Sequence, residues 1–191
     1  MIAAISLMRR QDRIDLNGFR RHWLDVHGPL VCAFPGLRRY VQCHVIDSMA
    51  ANEAGLTMRI DGFPILYFDN DADRSRAQVS SEMAACNVDS RLFVGAVSRV
   101  AAEVSGALRS NNGRFSLIEI WPEGVLPPPR PVLYRVLAQG AAPNSTISHL
   151  PVTAGAVTQI WYDSLVDLEC GAVGLGDAPS ARFAVEEHWL T

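Results

Sequence analysis

The sequence contains no lysine: all 17 basic residues among its 191 residues are arginine. A Schiff-base lysine, a lysine general base and the lysine of a phosphate-binding P-loop are therefore excluded. The formal net charge is only −3, with a small positive excess up to residue 114 and a negative excess after it. Charges this mild do not make a nucleic-acid surface, so we expect no nucleic-acid partner.

Cysteine motifs and long hydrophobic runs are also missing. The four cysteines form no CxxC pair and have no histidine-rich partner at zinc-ligand spacing, so we predict reduced thiols and no metal site. The apolar run at residues 1–8 is followed, not preceded, by arginines, and it is too short to span a bilayer. These features predict a cytoplasmic, soluble protein with no membrane partner.

The chain does contain enough apolar residues for a folded core. Hydrophobic residues make up 49% of it and charged residues 19%, with a mean hydropathy of +0.10. The first hundred residues predict a strand, a helix, two strands, a helix and a strand, at residues 2–8, 16–30, 37–47, 63–68, 71–85 and 92–100. This order is the split βαβ motif of a ferredoxin-like α+β unit.

The first predicted helix carries an apolar stripe and begins at one of two capping residues, Asp15 or Asn17. The stripe residues recur at spacings of three and four, and they are Leu16, Phe19, Trp23, Val26 and Leu30. A stripe with this spacing packs a helix against a sheet. We therefore predict that Phe19, Trp23 and Leu30 are buried between the helix and the sheet.

The rest of the chain predicts a shorter copy of the same unit. Strands are predicted at residues 132–138, 156–162 and 183–189, and the apolar run 115–121 is left unassigned. The motif Tyr67-Phe68-Asp69 is echoed by Trp161-Tyr162-Asp163, but nothing resembles the first helix. The resulting division is a first half at residues 1–109, a linker with a candidate strand at 110–131, and a degenerate second ferredoxin-like half at 132–191.

Several short motifs of the first half lie on the first helix, in the turn after it and at the edges of strands. They are Met8-Arg9-Arg10, Phe19, Trp23, His27-Gly28-Pro29-Leu30, Pro35-Gly36-Leu37 and Asp61-Gly62-Phe63. Together they resemble the EthD family over about residues 1–100.

The resemblance implies that the ferredoxin-like unit pairs with a second copy into an eight-stranded α+β barrel, with helices outside and a ligand cavity inside. Shorter members form this barrel as homodimers, and here the second half would replace the partner. Pairing of two whole chains into a homodimer is left as an alternative. Relatives include a protein induced during ethyl tert-butyl ether degradation, muconolactone-type isomerases, and fungal polyketide dehydratases or decarboxylases. None of those reactions needs a metal or a redox cofactor, so we expect no cofactor.

The first helix contains two histidines. At about 100° per residue, His22 and His27 lie about 140° apart on an α-helix, which predicts that they do not serve one site. His27 matches the family histidine, and its side chain can change protonation near neutral pH. It is therefore a candidate catalytic residue, and the alternative is a structural histidine at the edge of the stripe.

The second strand alternates a polar and an apolar set of side chains. The two sets are Tyr40, Gln42 and His44 against Val41, Cys43 and Val45. We expect the apolar set to face the helices and the polar set to line the barrel cavity. There a phenol, an amide and an imidazole would suit binding or proton transfer; the alternative is a plain polar face in water.

Three functions remain open from the sequence. The first is a cofactor-independent isomerase, dehydratase or decarboxylase acting on a small, mostly apolar oxygenated molecule. In it His27 or His44 moves a proton. Tyr40 or Gln42 orients an oxygen, and Trp23 contacts the ligand. The second function is a non-catalytic binding or accessory protein of a degradation pathway, and the third, less favoured, is a haem-binding barrel.

Overall fold

The computed structural model describes residues 1–46, 59–108, 114–141, 146–173, 179 and 181–191, and its centre is a β-barrel. The strands are β1 (Ile2–Arg10), β2 (Leu37–Val45), β3 (Gly62–Phe68), β4 (Val94–Gly106), β5 (Phe115–Trp121), β6 (Val132–Gly140), β7 (Ser148–His149), β8 (Ala156–Tyr162) and β9 (Ala181–Trp189). The helices are α1 (Leu16–His22), a π-helical turn (Trp23–His27), α2 (Gly28–Cys32), α3 (Asp71–Gln78), α4 (Ser81–Phe93) and α5 (Leu165–Val173).

Eight antiparallel strands close the barrel. Their order around it is β1, β3, β2, β9, β5, β8, β6, β4, and β4 pairs back with β1. The short β7 adds to β4 in the parallel direction and is not part of the ring. The two halves of the chain meet at the β2–β9 and β4–β6 pairs. The structure confirms the predicted α+β barrel.

Both halves of the barrel use one strand order. The first half runs β4, β1, β3, β2 and the second runs β9, β5, β8, β6. The unassigned run 115–121 is therefore β5, in the place that β1 has in the first half. The echoed motifs end the equivalent strands β3 and β8, each just before a helix. Residues 122–131 join β5 to β6 without a helix, where the first half has α1, the π-helical turn and α2.

The barrel interior is filled with buried side chains from both halves, among them Ile5, Leu7, Phe63, Ile65, Tyr67, Tyr134 and Phe183. Val41, Cys43 and Val45 belong to this core. In contrast, Tyr40, Gln42 and His44 lie on the outer face of β2, beneath the first helical segment. The predicted strand parity is therefore wrong, and the polar set does not line the barrel interior.

The parity prediction failed because residues 40–45 of β2 have no solvent-facing side. Residues 40–45 are all buried, with exposed fractions of at most 4%, since one face meets the barrel core and the other meets the helices. A strand buried on both faces carries no alternation that distinguishes inside from outside. The polar set lies outward because the helix offers hydrogen-bond partners there. Gln42 Nε2, for example, donates to the Trp23 carbonyl at 2.8 Å.

The first helical segment begins at Asp15, whose side chain accepts a hydrogen bond from Gly18 N–H, and widens into a π-helical turn at Trp23–His27. Pro29 has no N–H to offer the carbonyl four residues earlier. The turn is closed by the Gly28 N–H, which donates a hydrogen bond to the Trp23 carbonyl five residues earlier. A π-helical turn joins residues five apart, and this changes which side chains share a face.

Two consequences of the wider turn were not expected from α-helical spacing. His22 and His27 reach the same carboxylate, as described below, although α-helical spacing places them about 140° apart. Val26 is turned outward and is 47% exposed. Phe19 and Trp23 are fully buried as predicted, and Leu30 is half-buried against a different cluster, which includes Val31 and Phe34.

Candidate functional site

A cavity of about 310 Å³ lies between the outer face of the first half's sheet and helices α2, α3 and α4. Outward side chains of β1, β3 and β4 form its floor, and the small size of Ala4, Ser6 and Ala101 leaves the space open. Val31 and Met83 are among the apolar residues that cover it. A mostly apolar pocket with a few polar groups is typical of a small-molecule site, but it lies outside the barrel core where the resemblance had placed the cavity.

The second half of the chain closes one side of this cavity. Ala138, Gly140 and Ala141 at the end of β6, together with Ile147, belong to its lining. They come close because β6 pairs with β4, with Gly140 opposite Arg99. The cavity is therefore built on the first half and completed by the second.

His27 lines this cavity and is held by a carboxylate on α4. Its Nδ1 lies 2.8 Å from Asp89 Oδ2, and His22 Nε2 lies 3.0 Å from Asp89 Oδ1. An ionised carboxylate only accepts hydrogen bonds, so both rings donate to it. The tautomer of His27 is thereby set: the hydrogen is on Nδ1, and Nε2 is the nitrogen left to accept a proton.

The environment keeps His27 neutral near physiological pH. Burial lowers the pKa of His27, and the hydrogen bond and charge of Asp89 offset only part of that effect. The neighbouring His22 and Arg99 lower the pKa of His27 further. A neutral imidazole with an aspartate behind it is the arrangement that a general base requires.

The sequence did not point to two residues of the site: Arg99, which lines the cavity, and Asp89, which holds His27 from behind it. The predicted second helix ended near residue 85, whereas Ser80 caps a new helix, α4, by accepting from Met83 N–H. The buried residues of α4 are Cys86, Asp89 and Phe93, at spacings of three and four. An acid on an apolar stripe was therefore the available signal for Asp89, and an arginine within an apolar strand was the signal for Arg99.

The other predicted site residues form a hydrogen-bonded cluster behind the cavity. Trp23 Nε1 donates to the Tyr40 hydroxyl at 3.0 Å, and Gln42 Nε2 donates to the same hydroxyl at 3.1 Å. Tyr40 belongs to the cavity lining, whereas Trp23 and Gln42 do not. Burial raises the pKa of Tyr40, so this phenol stays neutral and can act only as a hydrogen-bond partner.

His44 is also separated from the cavity. Its ring stacks on Trp23 with centroids 4.6 Å apart, contacts His188 at 4.4 Å, and lies with Nε2 3.0 Å from Gln42 Oε1. Burial lowers the pKa of His44 to about 3. Of the five predicted site residues, the structure thus brings His27 and Tyr40 to the cavity and places Trp23, Gln42 and His44 behind it.

The neutral state of His44 makes stability depend on pH. Its pKa is about 3 in the fold and about 6.5 in an unfolded chain, so unfolding takes up a proton between these values. The stabilisation is complete above pH about 6.5 and is lost as the pH falls. Between pH about 7.5 and about 5, the parent should lose about 2 kcal/mol more unfolding free energy than His44→Phe, which keeps the stack on Trp23.

Urea melts of both proteins at the two pH values measure this difference. Burial raises the pKa of Glu187, an effect of opposite sign, but Glu187 is present in both proteins and cancels in the comparison. Equal losses in parent and variant would show that His44 does not titrate as its burial requires.

Metal-ligand clusters and membrane-spanning helices are two further features to consider in the described residues. No three histidine, cysteine or acidic side chains in the described ranges converge as metal ligands would. In the same ranges, no helix is both long enough and apolar enough to cross a membrane.

Comparison with known proteins supports both the family resemblance and the fold. Residues 11–96 match the family profile of the EthD domain, which confirms the resemblance predicted from the first-half motifs. An EthD family protein from Bacillus halodurans C-125 is 22% identical, with 54% of this chain and 97% of that protein covered and a TM-score of 0.43. No curated protein sequence matches the chain.

Two other solved structures span nearly the whole chain. An anthrone oxidase-like protein is 10% identical, with 99% of this chain and 93% of that protein covered and a TM-score of 0.63. A proposed monooxygenase from Lactobacillus acidophilus NCFM is 11% identical, with 100% and 94% covered and a TM-score of 0.54. These likenesses show a shared fold, an α+β barrel of two ferredoxin-like halves; the match to the EthD domain lies within the first half.

Proposed function

We propose that this protein binds a small, mostly apolar oxygenated molecule between the sheet and the helices of its first half and moves a proton on it without a cofactor. The observation that supports this is the pair of His27 and Asp89 at a largely apolar cavity, 2.8 Å apart. Isomerisation, dehydration and decarboxylation are the reaction classes in which one such base is sufficient.

In the proposed reaction, His27 Nε2 removes a proton from the ligand, and Asp89 stabilises the imidazolium that forms. The same nitrogen then returns the proton, either to another carbon in an isomerisation or to a leaving hydroxyl in a dehydration. Tyr40, which is neutral, orients a ligand oxygen from the wall of the cavity. In this proposal Trp23, Gln42 and His44 support the wall and do not touch the ligand.

The test is exchange of a carbon-bound proton for deuterium, followed by NMR with three carbon acids as probes: an unsaturated γ-lactone, an aryl 1,3-diketone and anthrone. The parent should accelerate exchange for at least one of them. His27→Gln should lower that rate by about 10²- to 10⁴-fold, the usual contribution of a general base. The rate should also fall at acid pH, because a protonated His27 cannot accept a proton.

His22→Gln is the matched control, since His22 also contacts Asp89 but is not part of the cavity lining. It should retain most of the exchange rate, and thermal melts should show that both variants fold. Equal rates in parent and His27→Gln would make His27 structural. Probe binding without exchange would contradict catalysis and favour the alternative, a non-catalytic binding or accessory protein.

A further inference from the structure

Arg99 extends from β4 into the cavity and is part of its wall. In the β-sheet it is flanked by Ser6 of β1 and Gly140 of β6, two small neighbours that leave the guanidinium unobstructed. Arg99 therefore places a positive charge on the floor of an otherwise mostly apolar space.

This charge has no carboxylate partner in the described part of the chain. Two other half-buried arginines are paired there: Arg10 with Asp61, and Arg74, which also lines the cavity, with Asp71 at 2.7 Å. No aspartate or glutamate is found among the described residues that line the cavity. Among the described residues that line the cavity, Arg99 therefore supplies a positive charge that no acidic lining residue balances.

Burying an unpaired cation is costly, because the ion loses hydration without gaining a counter-ion. Burial lowers the pKa of Arg99, yet an arginine stays charged in proteins, so the cost cannot be avoided by losing the proton. An anionic ligand would remove this cost on binding. A carboxylate fits best, since its two oxygens match the planar fork of a guanidinium.

We propose that the cavity takes a small cyclic molecule that carries a carboxylate, and that Arg99 holds this carboxylate while the ring occupies the apolar space. The inference rests on the proposed function in one respect, namely that this cavity is the ligand site. It adds the charge class of the ligand and a binding role for Arg99. His27, on the helix side of the same cavity, would then face the part of the ring that reacts.

The test compares 2-naphthoate with its neutral isostere 2-naphthamide by isothermal titration calorimetry. The parent should bind the carboxylate about 10- to 100-fold more tightly, as expected for hydrogen bonds to a charged group. Arg99→Met, of similar length and no charge, should lose this preference, and Arg99→Lys should keep part of it. Arg91→Met removes a charge from the exposed face of α4 and should keep the whole preference.

Several outcomes would overturn the inference. They are equal binding of the two probes by the parent, no binding of 2-naphthoate at millimolar concentration, and an undiminished preference in Arg99→Met. If Arg99→Met does not fold, the inference is tested by comparing the carboxylate preference of the parent with that of Arg99→Lys. A carboxylate preference that depends on Arg99, in a protein that accelerates no proton exchange, would leave this inference standing and refute only the catalytic proposal.

Discussion

Replacing Trp23 with alanine is expected to lower the free energy of unfolding by about 3–5 kcal/mol, as truncations of large buried aromatics do. The Trp23 side chain is completely buried. Its indole packs against Phe19 with centroids 5.5 Å apart and against His44 at 4.6 Å. A side chain at Gly62 would overlap the same ring, so the sheet is closely fitted to the tryptophan from below.

The lost stability comes from a broken hydrogen bond as well as from the cavity that the indole leaves. Trp23 Nε1 donates to Tyr40, and removing it leaves a buried hydroxyl with one donor fewer. Trp23→Phe, which keeps a ring, should lose less. Val26→Ala, in the same turn but 47% exposed, should change stability by less than about 0.5 kcal/mol. A loss below about 1 kcal/mol for Trp23→Ala in denaturant melts would contradict the packing described here.

Glu119 should be the second most sensitive position, with a loss of about 3 kcal/mol in Glu119→Ala. Its carboxylate on β5 is fully buried between two arginines. Arg130 Nε lies 2.9 Å from Oε2 and Arg182 Nε lies 3.0 Å from Oε1. Burial would raise the pKa of Glu119, but hydrogen bonds from Arg130, Arg182 and Thr158 hold it below its ordinary value.

The position of this ion pair explains why its loss should be large. Arg130 belongs to the connection 122–131, which stands where the first half has its helices, so Glu119 ties that connection to the sheet. Removing the carboxylate also takes a buried hydrogen-bond acceptor from both Arg130 and Arg182. Glu103→Ala is the control, because the Glu103–Arg135 pair is exposed and should matter little. Equal urea midpoints for Glu119→Ala and Glu103→Ala would contradict the proposed anchoring.

Sequence patterns predict the structure best where the determining interactions are local. The strand predicted at 156–162 is β8 to the residue, because its apolar and β-branched residues are bounded by turn residues. Asp15 caps α1 as one of the two predicted candidates. The missing first helix of the second half was also evident, since residues 122–131 are rich in proline and carry no helical stripe.

The candidate site was recovered only in part, because its members are distant in sequence. His27 was found from its family position and its titrating side chain, and Tyr40 from its polar strand face, although that face was assigned to the wrong side. Asp89 is 62 residues from His27, and local periodicity carries no information about such a contact. Arg99 lacks a sequence signal beyond its polarity in an apolar strand.

Spacing, capping and turn residues act over a few positions, and they were sufficient to predict the split βαβ order of the first half, its EthD resemblance and the incomplete second copy. Tertiary structure alone decided that the ligand cavity lies outside the barrel core, that the π-helical turn directs His22 and His27 to Asp89, and that Arg99 faces the same space. These features depend on which surfaces pack together when the barrel closes. A strand buried on both faces and a helix widened at Trp23–His27 leave that choice to contacts between distant segments.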